Sequence, residues 1–439
     1  MNFVSTRNQE TVVSLREALE AGLAPDGGLY VPKEYPFFSP ADFDHCHTHA
    51  EVANLLLRPF FAGDEDLAPK LAAICENTFN FPIPLVPVAA RPNDYLLELF
   101  HGPTSAFKDV GARFLAGCME AIAESEFFHL KRTVIVATSG DTGGAVAAAF
   151  YNRRAIDVVI LYPEGRISSR QEKQLCAWAG NVRAFAVKGS FDDCQRMVKE
   201  ALLDVKVENR IWLSANSINL GRILPQMVYY AHASLTLWRR KQGSEKAKEL
   251  PGFIIPSGNL GNSLACIWAK KLGLPIGPIH LAFNSNRGVV DFLDNGTLPA
   301  HPTVPTLANA MDVSKPSNLE RMQHLFPLHS ELQNQISAST INDDEIRAEI
   351  QTSEKEWGEA LCPHSAVATV ARKKLSRAEA FKAKEWVMVA TAHPAKFEAI
   401  VEPLVGHVIQ VPELLRQILL RPSSRRIIEA DYAALKSVL

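Results

Sequence analysis

From Tyr95 onward, short apolar runs alternate with helix-length segments, the pattern expected of a parallel sheet flanked by helices. The runs Tyr95–Leu99, Thr133–Ala137, Asp157–Leu161, Val182–Val187, Phe253–Ile255, Ile279–Phe283 and Trp386–Ala390 read as strands. Val134, Val158 and Val182 are spaced as successive β-α units, which run to about thirty residues or a little less. Before Asp94 the chain is mixed and punctuated by proline, with a turn at Asp26-Gly27-Gly28 and an amphipathic helical run, Val52 to Phe61. That stretch reads as an N-terminal extension with its own small core. The polar segment Arg239 to Lys248 predicts an exposed connection, and the charged stretch Arg372 to Lys384 a solvated helix and loop.

A chain of 439 residues predicts two or three packed units. We expect 1–94 as the N-terminal unit, 133–214 as a smaller α/β unit, and 95–132 with 215–439 as a larger one. Lys+Arg 46 against Asp+Glu 48 leaves no basic footprint for nucleic acid or an anionic membrane. Seven single cysteines without a CxxC pair suit a reducing compartment. With no signal-peptide-like or bilayer-spanning apolar run, the expected location is cytoplasmic.

Three loops after predicted strands carry chemistry, because ligands of open α/β sheets bind beyond the carboxyl ends of strands. Pro256-Ser257-Gly258-Asn259-Leu260-Gly261-Asn262 precedes a helix, Ser263 to Leu272; its glycines let backbone N–H groups reach an anion. Ser139-Gly140-Asp141-Thr142 opens the small-residue helix Ala145 to Tyr151 and alone says only "anion"; it matches neither GxxxxGK[ST] nor GxGxxG. Lys108 lies between the strand Tyr95–Leu99 and the helix Val110 to Glu124. Phe107 and Phe114 are placed to shelter its amine from water and make it a nucleophile. Singly, these features describe a tight turn, a helix start and a surface lysine. Together they point to a phosphate-bearing cofactor with a carbonyl, for which pyridoxal 5′-phosphate is the fit.

At these residues the chain resembles the threonine synthase family of bacterial and fungal type, a branch of the fold-type-II pyridoxal-phosphate enzymes. The likeness rests on DGGLYVP at Asp26, LFHGPTSAFKD at Leu99, ATSGDTGGAV at Ala137, VILYPEGRIS at Val159, NSINLGR at Asn216, PSGNLGN at Pro256, NAMDVSKPSN at Asn309 and TAHPAKF at Thr391. It spans nearly the whole length and implies the tryptophan synthase β-like α/β fold, with parallel-rich sheets flanked by helices and an N-terminal extension. By resemblance, Lys108 holds the cofactor as a Schiff base. Gly258, Asn259, Leu260 and Gly261 wrap its phosphate, and the Thr391 hydroxyl meets its pyridine nitrogen. Ser139, Gly140, Asp141 and Thr142 face the amino-acid end of the substrate; Asn216, Asn219 and Arg222 are candidates for its phosphate, which Arg binds in bidentate fashion. Two positions depart from the family pattern: Leu260 and Asn262 stand in a loop that commonly reads SGNFGD, and Ser105 stands where an apolar residue is expected.

The implied reaction converts O-phospho-L-homoserine and water to L-threonine and phosphate. The substrate amine displaces Lys108, which then moves the α-proton while the ring acts as electron sink. A phospholyase on the same motifs, releasing 2-oxobutanoate, ammonia and phosphate, is the alternative; a catalytically silent metabolite-binding protein is a third reading. The expected partner is this small-molecule substrate, with no nucleic acid or membrane, and the expected assembly a monomer or homodimer. His45, Cys46, His47 and His49 cluster in sequence, but read as residues of a helix beginning near Ser39-Pro40 they diverge, and no metal is expected. His101 and His393 are expected to position their loops, and Met227, Tyr229 and Tyr230 to belong to the core.

Overall fold

Strands buried on both faces are largely apolar, and three of them, in which the buried His280 is the one polar residue, form the middle of a six-stranded sheet: Ile279–Phe283, Gly252–Pro256 and Trp386–Ala390. Ile336–Thr340 flanks them on one side; Asp94–Glu98 and then Leu85–Pro87 follow on the other. Every pairing is parallel except the last. A second sheet, wholly parallel, has the order Arg426–Glu429, Val182–Lys188, Ile156–Pro163, Lys131–Ala137, Arg210–Ser214. The computed structural model describes residues 1–125, 131–204, 210–243, 249–376 and 383–439.

All seven predicted strands lie in these sheets, and Ile279–Phe283 and Trp386–Ala390 keep the bounds read from sequence. The predicted helices extend to His49–Phe61, Lys108–Ser125, Asp141–Phe150 and Gly261–Lys271. Lys108 and Asp141 are therefore the first residues of their helices.

The packing adds detail to several expectations. The N-terminal segment has no core of its own: Phe3, Leu19, Phe61 and Ile74 share one continuous apolar cluster with Phe114, Met227 and Trp268. Its boundary falls before Leu85, since Leu85–Pro87 pairs with the large sheet. The end of the chain leaves the larger unit, because Arg426–Glu429 forms the edge of the smaller sheet beside Val182–Lys188. The stretch from Arg239 is no loose connector at its start. Arg239 donates to the Cys46 carbonyl at 3.1 Å and Lys241 pairs with Glu385, while residues 244–248 lie outside the described ones. In the second charged stretch Arg372 is a structural contact, 2.9 Å from Asp94, and residues 377–382 lie outside the described ones. Among the described residues no helix is long and apolar enough to cross a membrane.

The His45–His49 cluster diverges for a different reason from the one expected. The helical turn Pro40–Phe43 ends before it and the next helix starts at His49, so the intervening residues form an irregular turn. Cys46 faces inward, His45 and His47 face solvent, and His49 stacks on His232 with ring centroids 3.8 Å apart.

Candidate active site

The strand Asp94–Glu98 leads into the lysine loop, and that loop is zipped onto the one following Trp386–Ala390. Leu99 donates to the Ala390 carbonyl at 2.9 Å, Phe107 to the Thr391 carbonyl at 2.9 Å, and His393 to the Ser105 carbonyl at 3.1 Å. Ser105 adopts φ +53°, a left-handed turn that an apolar branched side chain would strain. Asp109 caps the turn, accepting from the Thr104 N–H at 2.8 Å and hydroxyl at 2.7 Å. Lys108 is thereby fixed in a cavity wall beside Phe107. Phe114 gives no shelter there: it packs edge-on against Phe61 in the core. Lys108 lines the cavity, and desolvation lowers its amine to about 8. Asp141 acts in the opposite sense, Lys396 and Arg222 in the same sense as burial.

The loop after Gly252–Pro256 forms the adjoining wall. Gly258 is required by close approach, since a Cβ there would stand 2.9 Å from the Met311 Cα. Leu260 takes a left-handed conformation, φ +62°, just before the helix Gly261–Lys271. Asn259 spends its side chain on the loop itself: its amide donates to the Ser217 hydroxyl at 2.6 Å and its oxygen accepts from the Ser317 N–H at 2.6 Å. Among the described residues nothing accepts from the backbone N–H groups of Gly258, Asn259 and Leu260. Such donors at a helix start, beside a shielded amine, suit a phosphate-bearing aldehyde. Asn262 accepts from the phenols of Tyr229 and, at 2.9 Å, Tyr230, which places both tyrosines in the core beneath the loop.

The smaller sheet contributes the loop after Lys131–Ala137. The Thr138 hydroxyl accepts from Gly140 N–H at 3.0 Å and Gly143 N–H at 2.9 Å, shaping the turn. Gly140 has φ +138°, and a Cβ there would meet the Gln171 amide at 2.5 Å. Asp141 and Thr142 reach the cavity; Ser139 and Gly140 do not line it. Asp141 Oδ1 is 3.0 Å from Lys396 Nζ and 3.2 Å from Gln171 Nε2. Burial pushes its carboxyl up, but Lys396, then Lys108 and His364, pull it well below the usual range.

Of the three residues considered for substrate phosphate, one lines the cavity. Arg222 donates through Nη1 to the Ala215 carbonyl at 2.6 Å while its buried Nε has no partner, and burial lowers its guanidinium to about 10. Asn219 stands outside the lining: it is fully buried, donates to the carbonyls of Leu19 and Ser214, and accepts from Gly221 N–H. Asn216 also stands outside the lining, and its neighbour Ser217 takes the place.

Thr391 lines the cavity opposite; its N–H donates to Ser365 Oγ at 3.2 Å, and no bond holds its hydroxyl among the described residues. His101 bonds Glu98 at 2.6 Å and His393 caps Pro394–Phe397, both holding loops. Sequence reasoning missed Lys396, His364 and Ser217. Lys396 and Ser217 stood inside quoted motifs, but nothing in the sequence showed Lys396 meeting Asp141 from another sheet.

Residues 81–392 match the family described as pyridoxal-phosphate dependent enzyme, residues 2–79 that of the threonine synthase N terminus, and residues 365–439 that of the threonine synthase C-terminal region. The threonine synthases of Haemophilus influenzae and Escherichia coli are 38% and 36% identical to the chain, each over 100% of it and 99% of the relative. The chain belongs to the threonine synthase family. The crystal structure of the Escherichia coli threonine synthase superposes with TM-score 0.86 at 35% identity, covering 100% of this chain and 99% of that one. A PLP-bound threonine synthase from Brucella melitensis superposes with TM-score 0.87 at 34% identity, covering 100% and 98%. The fold is that of the fold-type-II pyridoxal-phosphate enzymes, the cofactor is pyridoxal 5′-phosphate, and the activity is that of a lyase in threonine biosynthesis.

The lowered amine of Lys108 has a measurable consequence in the cofactor-free threonine synthase. Only a neutral amine attacks an aldehyde, so the rate of pyridoxal phosphate capture should climb with pH and level off above about 8. Stopped-flow absorbance across pH 6 to 10 measures it; a rise continuing to the ordinary lysine range would contradict a desolvated amine.

Proposed function

We propose that this cavity converts O-phospho-L-homoserine and water to L-threonine and phosphate, with Lys108 as its proton-transfer group. The observation that carries the reading is the meeting of a shielded amine, uncommitted N–H donors at Gly258–Leu260 and the Asp141–Lys396 pair around one cavity. Pyridoxal phosphate, when bound, supplies an electron sink for the charge left as protons depart from Cα and Cβ.

The rest is work for the chain. The backbone donors of Gly258, Asn259, Leu260 and Gly261 hold the cofactor's phosphate, and the Thr391 hydroxyl orients its ring nitrogen. A neutral hydroxyl there adds no proton to that nitrogen. Lys108 would anchor the aldehyde, and its amine, when free, would remove the Cα proton and serve Cβ and Cγ from the same wall. Asp141 and Thr142, at a helix start, face the amino-acid end of the substrate. Arg222, which lines the cavity, binds the phosphate that departs from Cγ. In this reading the smaller α/β unit brings Asp141 and Thr142 to the larger, cofactor-holding unit.

The test is product analysis on O-phospho-L-homoserine. Threonine and phosphate in equal amounts are expected. Dominant 2-oxobutanoate with ammonia would replace this reading by that of a phospholyase.

A further inference from the structure

One cavity-lining side chain is left without a task by the reaction as described. His364 is the second residue of the helix Pro363–Lys374, 4% exposed, and packed on the Phe397 ring at 4.9 Å between centroids. Its Nε2 lies 3.1 Å from the backbone nitrogen of Ala310, which can only donate, so Nε2 accepts. A neutral ring with an accepting Nε2 carries its hydrogen on Nδ1. That Nδ1 is buried and has no partner among the described residues.

Burial lowers the imidazole to about 4; Asp141 opposes this while Lys108 and Lys396 reinforce it. The ring thus stays neutral through the physiological range and the tautomer is constant. Asp141 does not quench the Nδ1–H: among the described residues no acceptor lies within hydrogen-bond distance of it. A buried N–H without an acceptor is destabilising, so it is kept where a ligand completes it. The two cations that act on it, Lys108 and Lys396, favour an acceptor that is anionic.

We infer that His364 is a further ligand-binding residue, whose Nδ1–H donates to an anionic oxygen of the bound ligand while its Nε2 holds the Ala310 backbone over the phosphate loop. The oxygen belongs to the cofactor ring or to the carboxylate of the amino-acid substrate. The second function explains the geometry: Ala310 and Met311 press on Gly258, so one ring fixes the loop from above and reads the ligand from the side. The inference rests on the reaction proposed above.

Two substitutions separate the functions, because an amide nitrogen in Asn falls near Nδ1 whereas the terminal group of Gln falls near Nε2. His364→Gln keeps an acceptor for Ala310 and removes the donor; His364→Asn keeps the donor and removes the acceptor. The dissociation constant of pyridoxal phosphate on cofactor-free protein, read by fluorescence quenching, and KM for O-phospho-L-homoserine are measured for both, with folding followed by circular dichroism. Expected is a loss of about tenfold or more in one of the two constants for Gln, with Asn losing clearly less in that same constant. A change in the cofactor constant assigns the oxygen to the cofactor; a change confined to KM assigns it to the substrate. If Gln does not fold, His364→Leu takes its place. Equal losses in Asn and the donor-less variant, a larger loss in Asn, or no loss in either would overturn the inference. Failure of the parent protein to bind pyridoxal phosphate or turn over the substrate would instead remove the reading on which it rests.

Discussion

Lys108→Ala is expected to lose the visible absorbance of the protein-bound cofactor and to lower turnover by at least about a thousandfold, the upper part of the range for one acid–base group. The size of the effect follows from the geometry, since no second amine stands in the same position. Lys396 Nζ is committed to Asp141 at 3.0 Å and to the Thr104 carbonyl at 2.7 Å. The phosphate cup does not depend on Lys108, so the variant should still bind the cofactor reversibly and release it on dialysis. Lys108→Arg sharpens the test. A guanidinium keeps the positive charge but cannot supply a neutral amine near pH 7, so it should be as inactive as alanine. Appreciable turnover in either variant would mean that another group moves the Cα proton.

The legibility of this chain follows the burial of its elements. Strands buried along their whole length and largely apolar, such as Ile279–Phe283 and Trp386–Ala390, were marked to the residue by their composition. Edge strands carried no such mark. Ile336–Thr340 reads ISAST and is half-buried along most of its length, and Arg426–Glu429 buries only Ile428. Their strand character comes from the neighbour they pair with, which a local pattern does not contain. The same distinction governs the site. Lys108 and the Gly258–Gly261 loop were legible because each sits in a short segment with its own chemistry. Asp141, Lys396 and His364 are brought together from segments about thirty to 250 residues apart by two sheets meeting at their carboxyl ends, as in other open α/β folds. Asn219 is the opposite case: an amide in a motif suggested a ligand contact, and its bonds close the turn around Ser214 and Gly221.

The second large effect concerns that convergence. Lys396→Met removes the ammonium from a fully buried pair and leaves the Asp141 carboxylate, 5% exposed, without its main counter-charge. Breaking such a pair from one side costs about 3–5 kcal/mol, because the remaining charge is still desolvated. The pH dependence fixes the sign. In the parent protein the Asp141 carboxyl is held low, so its contribution is present above the unfolded carboxylate range, about pH 4, and is lost only as pH falls through the lowered folded value. In the variant, burial is no longer offset by Lys396 and the carboxyl moves up. The folded state then binds a proton more readily than the unfolded one, and stability is regained as pH falls. The difference in melting temperature between parent and variant should therefore be widest near pH 7 and narrow towards pH 4. Asp141→Asn combined with Lys396→Met removes both charges and should recover much of the loss, a coupling that only interacting residues produce. Because Lys396 also donates to the Thr104 carbonyl beneath the lysine loop, the double variant should melt near the parent yet bind pyridoxal phosphate less tightly. A single variant whose melting deficit is the same at pH 4 and pH 7 would show that the pair does not hold the Asp141 charge in the folded protein.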